Sequence, residues 1–371
     1  MAEGEKFLFP HEISSYNAVD WSEDACIAIA TDGGTVILTL QWSPTTVDSK
    51  PVFHQSILPC SDEPNNMLGV TPQQYNQLKK ESSVNQLQEL ALDRTICPLV
   101  KSATSFRSYK TARWSGHGGD EEGRCILATL TLDHRLCLFS TGKLNSNFRL
   151  LVELSDLYAK DIKLPDLTFE CLKEATYKIS AVDVAWSPVI VGKENKFSIL
   201  AVGMANGDLV FWKIRFPCKG EEDCEMITKL QLSSGLPSAM TWCNRILSGN
   251  VACFVVGFDS GIIKAVSVNV IMPSKTTTLN ICDQSDSMKV TTVSAQATED
   301  DKMTIIATKE IFIITYEVEV MYKILRLFSS SHTTGDYNYF ASGLSCHNGT
   351  YLLSSSDGAI LSFSKNAASI F

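Results

Sequence analysis

Three recurring features predict an all-β fold, a WD40-like β-propeller of about six recognisable blades carrying helical or disordered inserts. Pairs of apolar runs joined by a tight turn recur along the chain. A tryptophan followed by a turn-forming residue ends a shorter strand upstream of several of them. The later turns fall at a nearly constant interval.

The paired runs are CIAIATDGGTVILTL (26–40), CILATLTLDHRLCLF (125–139), ILAVGMANGDLVFWKI (199–214), VACFVVGFDSGIIKAV (251–266) and YLLSSSDGAILSF (351–363). Asp32-Gly33, Asn206-Gly207 and Asp357-Gly358 suit two-residue hairpins, whose primed turns need positive φ. Asp133-His134 departs from that chemistry and predicts a longer or different turn. Turn positions Gly207, Gly261, Glu310 and Gly358 are separated by 54, 49 and 48 residues, the interval of a four-stranded propeller blade. A further unit without a tryptophan is expected at 289–316.

The tryptophan-marked strands read NAVDWSED (17–24), KTARWSGH (110–117), AVDVAWSP (181–188) and SAMTWCNR (238–245). One blade cannot bury both of its faces. Trp21, Trp114, Trp186 and Trp242 are therefore expected to fill the spaces between adjacent blades, with Gly33, Gly207, Gly261 and Gly358 marking the hairpin turns.

Length and composition agree with this plan. The chain has 371 residues, 44% apolar and 20% charged, enough to bury a large core. The periodicity predicts one propeller over 1–371, interrupted by inserts at about 44–105 and 154–178. In the first insert, PQQYNQLKKESSVNQLQELALDR (72–94) has many helix formers and few β-branched residues, and reads as a polar helix with loops. The shorter insert reads as helical around 154–161 and 169–175. Inserts of this length usually carry function or are disordered, and both are candidates for partner contact. The ring either closes with six blades, helped by a strand at FLFP (7–10), or follows a seven-bladed plan truncated at the C-terminus.

Several function classes are disfavoured. The net charge is −9 and the densest basic run is Lys79-Lys80, so any DNA contact is expected to be indirect. No apolar window approaches a membrane span, and the N-terminus lacks the pattern of a secretory signal. The twelve cysteines contain no C-x-x-C pair. Cys26, Cys125, Cys137 and Cys253 lie inside strand-like runs and act as small hydrophobes, in a reducing compartment. The six histidines show no ligand spacing, so no metal is expected. No cofactor, small-molecule substrate or membrane partner is expected either.

One motif needs a decision. Arg113, Gly116 and Gly118 spell R-x-x-G-x-G, the spacing by which acetyltransferases cradle acetyl-CoA. Such a cradle needs amides converging at the start of a helix. Here Asp120, Glu121 and Glu122 follow, and then the β-rich CILATLTL. The motif reads as a loop between blades, and Glu121 and Glu122 as solvated carboxylates rather than a general base. No catalytic residue is assigned.

LALDRTICPLVKSATSFRSYKTARWS (90–115), GRCILATLTLDHRLCLF (123–139), LLVELSDLY (150–158), VAWSP (184–188), ILAVGMANGDLVFWKI (199–214) and SSDGAI (355–360) together resemble the family of the 90-kilodalton subunit of transcription factor IIIC. The likeness spans most of 14–363. It implies a nuclear scaffold that holds other subunits of that factor and the RNA polymerase III initiation machinery at genes of the transfer-RNA type. The family is also credited with histone acetyltransferase activity. The helical, zinc-binding region that its members carry further along finds no match here. A propeller adaptor of another complex is the remaining alternative.

Overall fold

The computed structural model describes residues 11–13, 15–41, 52–61, 63–93, 95–96, 108–141, 148–162, 164, 166–192, 195–272, 275–298, 302–321, 324–334, 341–347, 350–355, 360–364 and 367–370. The strand at 7–10 and the turn glycine Gly358 lie outside these residues.

Among the described residues, six antiparallel sheets follow one another along the chain, each an up-and-down meander. The first is Val19–Trp21, Cys26–Thr31, Gly34–Gln41 and Val52–Leu58; the second is Tyr109–Trp114, Ile126–Thr131, Leu136–Thr141 and Phe148–Glu153. The third is Ala181–Trp186, Lys196–Met204, Asp208–Phe216 and Cys224–Gln231, with the two-residue strand Ile190–Val191 added to its second strand. The fourth spans Pro237–Cys282, the fifth Val290–Thr334 and the sixth Ala341–Ile370. The first insert starts later than the sequence predicts, because Val52–Leu58 pairs with Gly34–Gln41 as the outer strand of the first sheet.

The inner strands of neighbouring sheets lie side by side, and five hydrophobic clusters join consecutive sheets. Ala112, Trp114 and Leu127 pack with Ala28, Ala30 and Ile37. Leu138 and Val152 pack with Leu200 and Val210. Phe211 and Ile199 pack with Trp242 and Phe254. Val255 and Ala265 pack with Ala295 and Ile305. Ile306 and Ile313 pack with Tyr351 and Leu353. These strands are buried on both faces, which is why their sequences run apolar instead of alternating. The first and sixth sheets meet where the Asn17 amide donates to the Ser342 carbonyl at 3.2 Å.

The Trp-Ser pair has a structural task. The Ser115 hydroxyl accepts the Ile126 amide at 2.8 Å, and Ser187 accepts the Ile199 amide at 2.8 Å. Ser22 accepts the Cys26 amide at 3.0 Å. In each case the hydroxyl fastens the end of the inner strand to the start of the next one. The indoles join sheets: Trp186 Nε1 donates to the Arg113 carbonyl at 3.1 Å, and Trp242 Nε1 to the Ala185 carbonyl at 3.0 Å. Trp114 and Trp242 are buried and Trp186 is partly buried. Trp21 breaks the expectation, being 62% exposed at the equivalent strand end.

Asn206-Gly207 and Asp32-Gly33 do not make the primed turns expected of them, whereas Asp133-His134 makes the longer turn its chemistry predicts. At 204–207 the Gly207 amide donates to the Met204 carbonyl at 2.9 Å, and Gly207 alone has positive φ, +86°. Gly261 (+86°) and His134 (+68°) repeat the arrangement. These are three-residue loops whose last residue is left-handed. In the first hairpin the positive φ falls on Gly34 and not on Gly33.

Candidate functional site

In a meander, connections alternate between the two ends of the sheet. The links from one sheet to the next therefore share a face with the turns between second and third strands. Both inserts are such links, and they build one helical layer over that face. Its helices are α1 (Pro72–Glu81), α2 (Val84–Leu92), α3 (Leu154–Ala159) and α4 (Phe169–Ile179). Thr71 with Gln74 and Ser83 with Gln86 form capping boxes, and Pro72 occupies the first turn of α1. Val70, Tyr75, Leu78, Leu90 and Ile96 of the first insert bury themselves against Phe169 and Leu172 of the second. The Tyr75 hydroxyl donates to the Ile96 carbonyl at 2.9 Å, and Lys173 pairs with Glu89. Segments 84 residues apart thus make one small core.

That layer rests on the turns of the second and third sheets, and the unusual Asp133-His134 turn is its main seat. Asn65 clasps Asp133, its amide donating to the carboxylate at 3.0 Å and its side chain to the carbonyl at 2.9 Å. His134 Nδ1 lies 2.7 Å from the Ala181 carbonyl, which fixes Nδ1 as the protonated nitrogen and leaves Nε2 to accept from Thr95 at 3.3 Å. Burial holds the imidazole below its ordinary pKa of 6.5, against the opposing pull of the Ala181 carbonyl. A cleft of about 20 Å³, lined by Asn65, Tyr75, Asp133, His134 and Thr176 among others, has room for roughly one water molecule. It is too small for a metabolite.

The outward side of α2 is apolar and uncovered. Val84 is 71% exposed and Leu92 81%, and Leu87, one turn from Val84, is also exposed. Only Leu90 of α2 is buried in the layer. A short helix held firmly from below with leucine and valine facing water has the make-up of a protein-docking surface.

The R-x-x-G-x-G loop lies on the opposite face, between the first and second strands of the second sheet. A strand, Ile126–Thr131, follows it instead of a helix. Many of its amides already serve carboxylates or carbonyls. The Trp114 amide donates to Asp20 at 2.7 Å, His117 to Glu23 at 2.8 Å, and Cys125 to Asp24 at 2.5 Å. Glu122 and Arg124 amides both donate to Asp120, and Gly118 to the Gly123 carbonyl. A pyrophosphate would have to displace a row of negative groups. Gly116 is needed for a close approach: a Cβ there would meet Val189, in the loop after Ala181–Trp186, at 2.3 Å. Arg113 faces Asp20 and Asp183, whose carboxyls burial pushes up while the Arg113 guanidinium pulls them down. The loop binds its neighbouring blades.

The same loop brings together a group that spacing along the chain conceals. Asp24, His117 and Cys125 place one donor atom each within 4.8 Å of one another. His117 Nδ1 is 2.6 Å from Asp24 Oδ1. Burial, with Asp24 alongside, pushes the Cys125 thiol far up, so on its own it is no nucleophile. The expectation of no metal-ligand grouping rests on spacing along the chain, and 93 residues separate Asp24 from His117. Contact between neighbouring blades is the missing signal.

The family model for the transcription factor IIIC subunit delta β-propeller domain matches residues 21–371. The chain belongs to that family. Among curated proteins, the general transcription factor 3C polypeptide 4 of Mus musculus is 24% identical over 300 residues, covering 70% of this chain and 35% of the relative. The Homo sapiens protein of the same name is 24% identical over 293 residues with the same coverage. The chain thus spans about a third of the length of the curated relatives it matches. Among solved structures, Saccharomyces cerevisiae Sqt1 aligns with a TM-score of 0.49 and 11% identity, over 98% of this chain and 85% of that one.

Proposed function

We propose that this member of the transcription factor IIIC delta family is a non-catalytic scaffold, the propeller of the factor's 90-kilodalton subunit. It is one domain over residues 1–371 that works in the nucleus by holding other subunits together for initiation by RNA polymerase III. The observation that carries the reading is α2, anchored through Leu90 while Val84, Leu87 and Leu92 face water. Burying such residues against a partner supplies the apolar core of an interface, roughly 1.5–3 kcal/mol for each side chain fully covered. The acidic surface favours protein partners over a phosphate backbone, so DNA contact runs through other subunits.

Affinity purification of the tagged full chain from nuclear extract, with mass spectrometry of what accompanies it, tests this. Recovery of other subunits of transcription factor IIIC is the expected result. Recovery without any of them rejects the assignment.

A further inference from the structure

We propose that Asp24, His117 and Cys125 form a site for one zinc-like divalent cation, which ties the first sheet to the second on the face opposite the helical layer. The three donor atoms lie within 4.8 Å of one another, and they are a carboxylate oxygen, an imidazole nitrogen and a thiol sulfur. That mixture suits a borderline-soft cation; magnesium and calcium, which take oxygen ligands, are poorly matched by sulfur. Three protein ligands leave a fourth tetrahedral position to water.

The ligands are held in place by contacts the metal does not need to make. The His117 amide is fixed on Glu23 Oε2 at 2.8 Å, and the Cys125 amide on Asp24 Oδ2 at 2.5 Å. Asp24 can therefore coordinate through Oδ1 and keep Oδ2 as the brace for Cys125. Both loops have fixed shapes, one through Ser22 accepting the Cys26 amide and the other through Asp120 accepting two amides. Access is open on one side: the His117 side chain is 64% exposed and that of Asp24 19%. In a tetrahedral shell with bonds of about 2.0–2.3 Å, neighbouring donors lie roughly 3.5 Å apart. The 2.6 Å separation of His117 Nδ1 and Asp24 Oδ1 must then widen by about an ångström, a swing the exposed ring can make. A simple clasp between sheets would need only His117 and Asp24. Cys125, whose side chain meets the same point from the second sheet, is what marks the cluster as a ligand set.

Cobalt(II) titration of the reduced full chain under anaerobic conditions reads this directly, because a sulfur–cobalt bond gives a near-ultraviolet charge-transfer band. One equivalent of cobalt should produce that band together with tetrahedral visible bands, and zinc should abolish both. Cys125→Ser should remove the charge-transfer band. His117→Ala, a change at an exposed side chain that leaves the core untouched, should weaken zinc binding more than about tenfold. Zinc should also raise the thermal midpoint of the wild-type chain but not of His117→Ala. Absence of the band in the folded wild-type chain overturns the proposal. So does a band that persists in Cys125→Ser, since another of the cysteines would then be the ligand.

Discussion

Trp242 and Trp21 end equivalent inner strands, yet one is 5% exposed and the other 62%. At the joint between the third and fourth sheets, Trp242 packs edge-on against Phe211 and tilted against Phe254, with ring centroids 5.8 and 5.1 Å away. Its indole nitrogen reaches the Ala185 carbonyl. At the seam between the sixth and first sheets, Trp21 and Val19 face water on one side and Leu352 and Ile360 do so on the other. No hydrophobic cluster among the described residues spans that seam; Ile29, Val36 and Leu38 are grouped with Ile27 and Phe53 of the same sheet. A repeat fixes where a side chain is presented, and its neighbour decides whether that side chain is buried. Five joints are therefore cores in miniature, and at the sixth the described rim residues Trp21, Val19, Leu352 and Ile360 stay exposed.

That contrast sets a graded series of expectations. Trp242→Ala should cost about 3–5 kcal/mol in urea unfolding, the loss from truncating a large buried aromatic. Gly257→Val should cost about 1–3 kcal/mol, because even a Cβ there would meet Val290 of the next sheet at 2.3 Å and push the fourth and fifth sheets apart. Trp21→Ala should cost less than about 1 kcal/mol, as expected for a side chain mostly in water. A loss at Trp21 equal to that at Trp242 would show the seam to be packed like the other joints. Acrylamide quenching offers a finer reading of the same difference, since Trp21→Phe should remove much of the accessible emission and Trp242→Phe little of it.

The joint between the ring and its helical layer should respond to pH. His134 is neutral in the fold and its pKa is lowered by burial, so between the lowered value and 6.5 the unfolded chain binds the extra proton. The contribution is complete above pH 6.5 and is lost as pH falls through the folded pKa. Hydrogen exchange at α1 and α4 should accelerate over that window. His134→Asn, which tolerates the left-handed backbone at this position, should weaken the joint at all pH values and remove the slope. An unchanged slope would place the titrating group elsewhere.

Much of the ring is legible in the sequence because its signals are local. A β run, a turn and another β run need only neighbouring residues, and the Trp-Ser pairs owe their recurrence to one hydrogen bond between adjacent strands. The helices are legible from composition, and Thr71-Pro72 and Ser83 confirm where two of them start. What stays hidden depends on separation. Nothing near Asp133-His134 announces that the turn supports a helical layer assembled from two distant inserts. Nothing near Cys125 announces Asp24. Gly116 and Gly118 mimic a phosphate loop because glycine answers other demands as well, here a close approach to Val189 at Gly116 and a positive φ of +91° at Gly118. Trp21 obeys the repeat in sequence and departs from it in space.

Pull-down of the tagged full chain carrying Val84→Glu and Leu87→Glu, side by side with the wild type, addresses the scaffold reading at its root. Both positions are exposed, so the thermal midpoint should stay unchanged while at least one copurifying subunit is lost. An equally stable variant that retains every partner would show that α2 holds none of them.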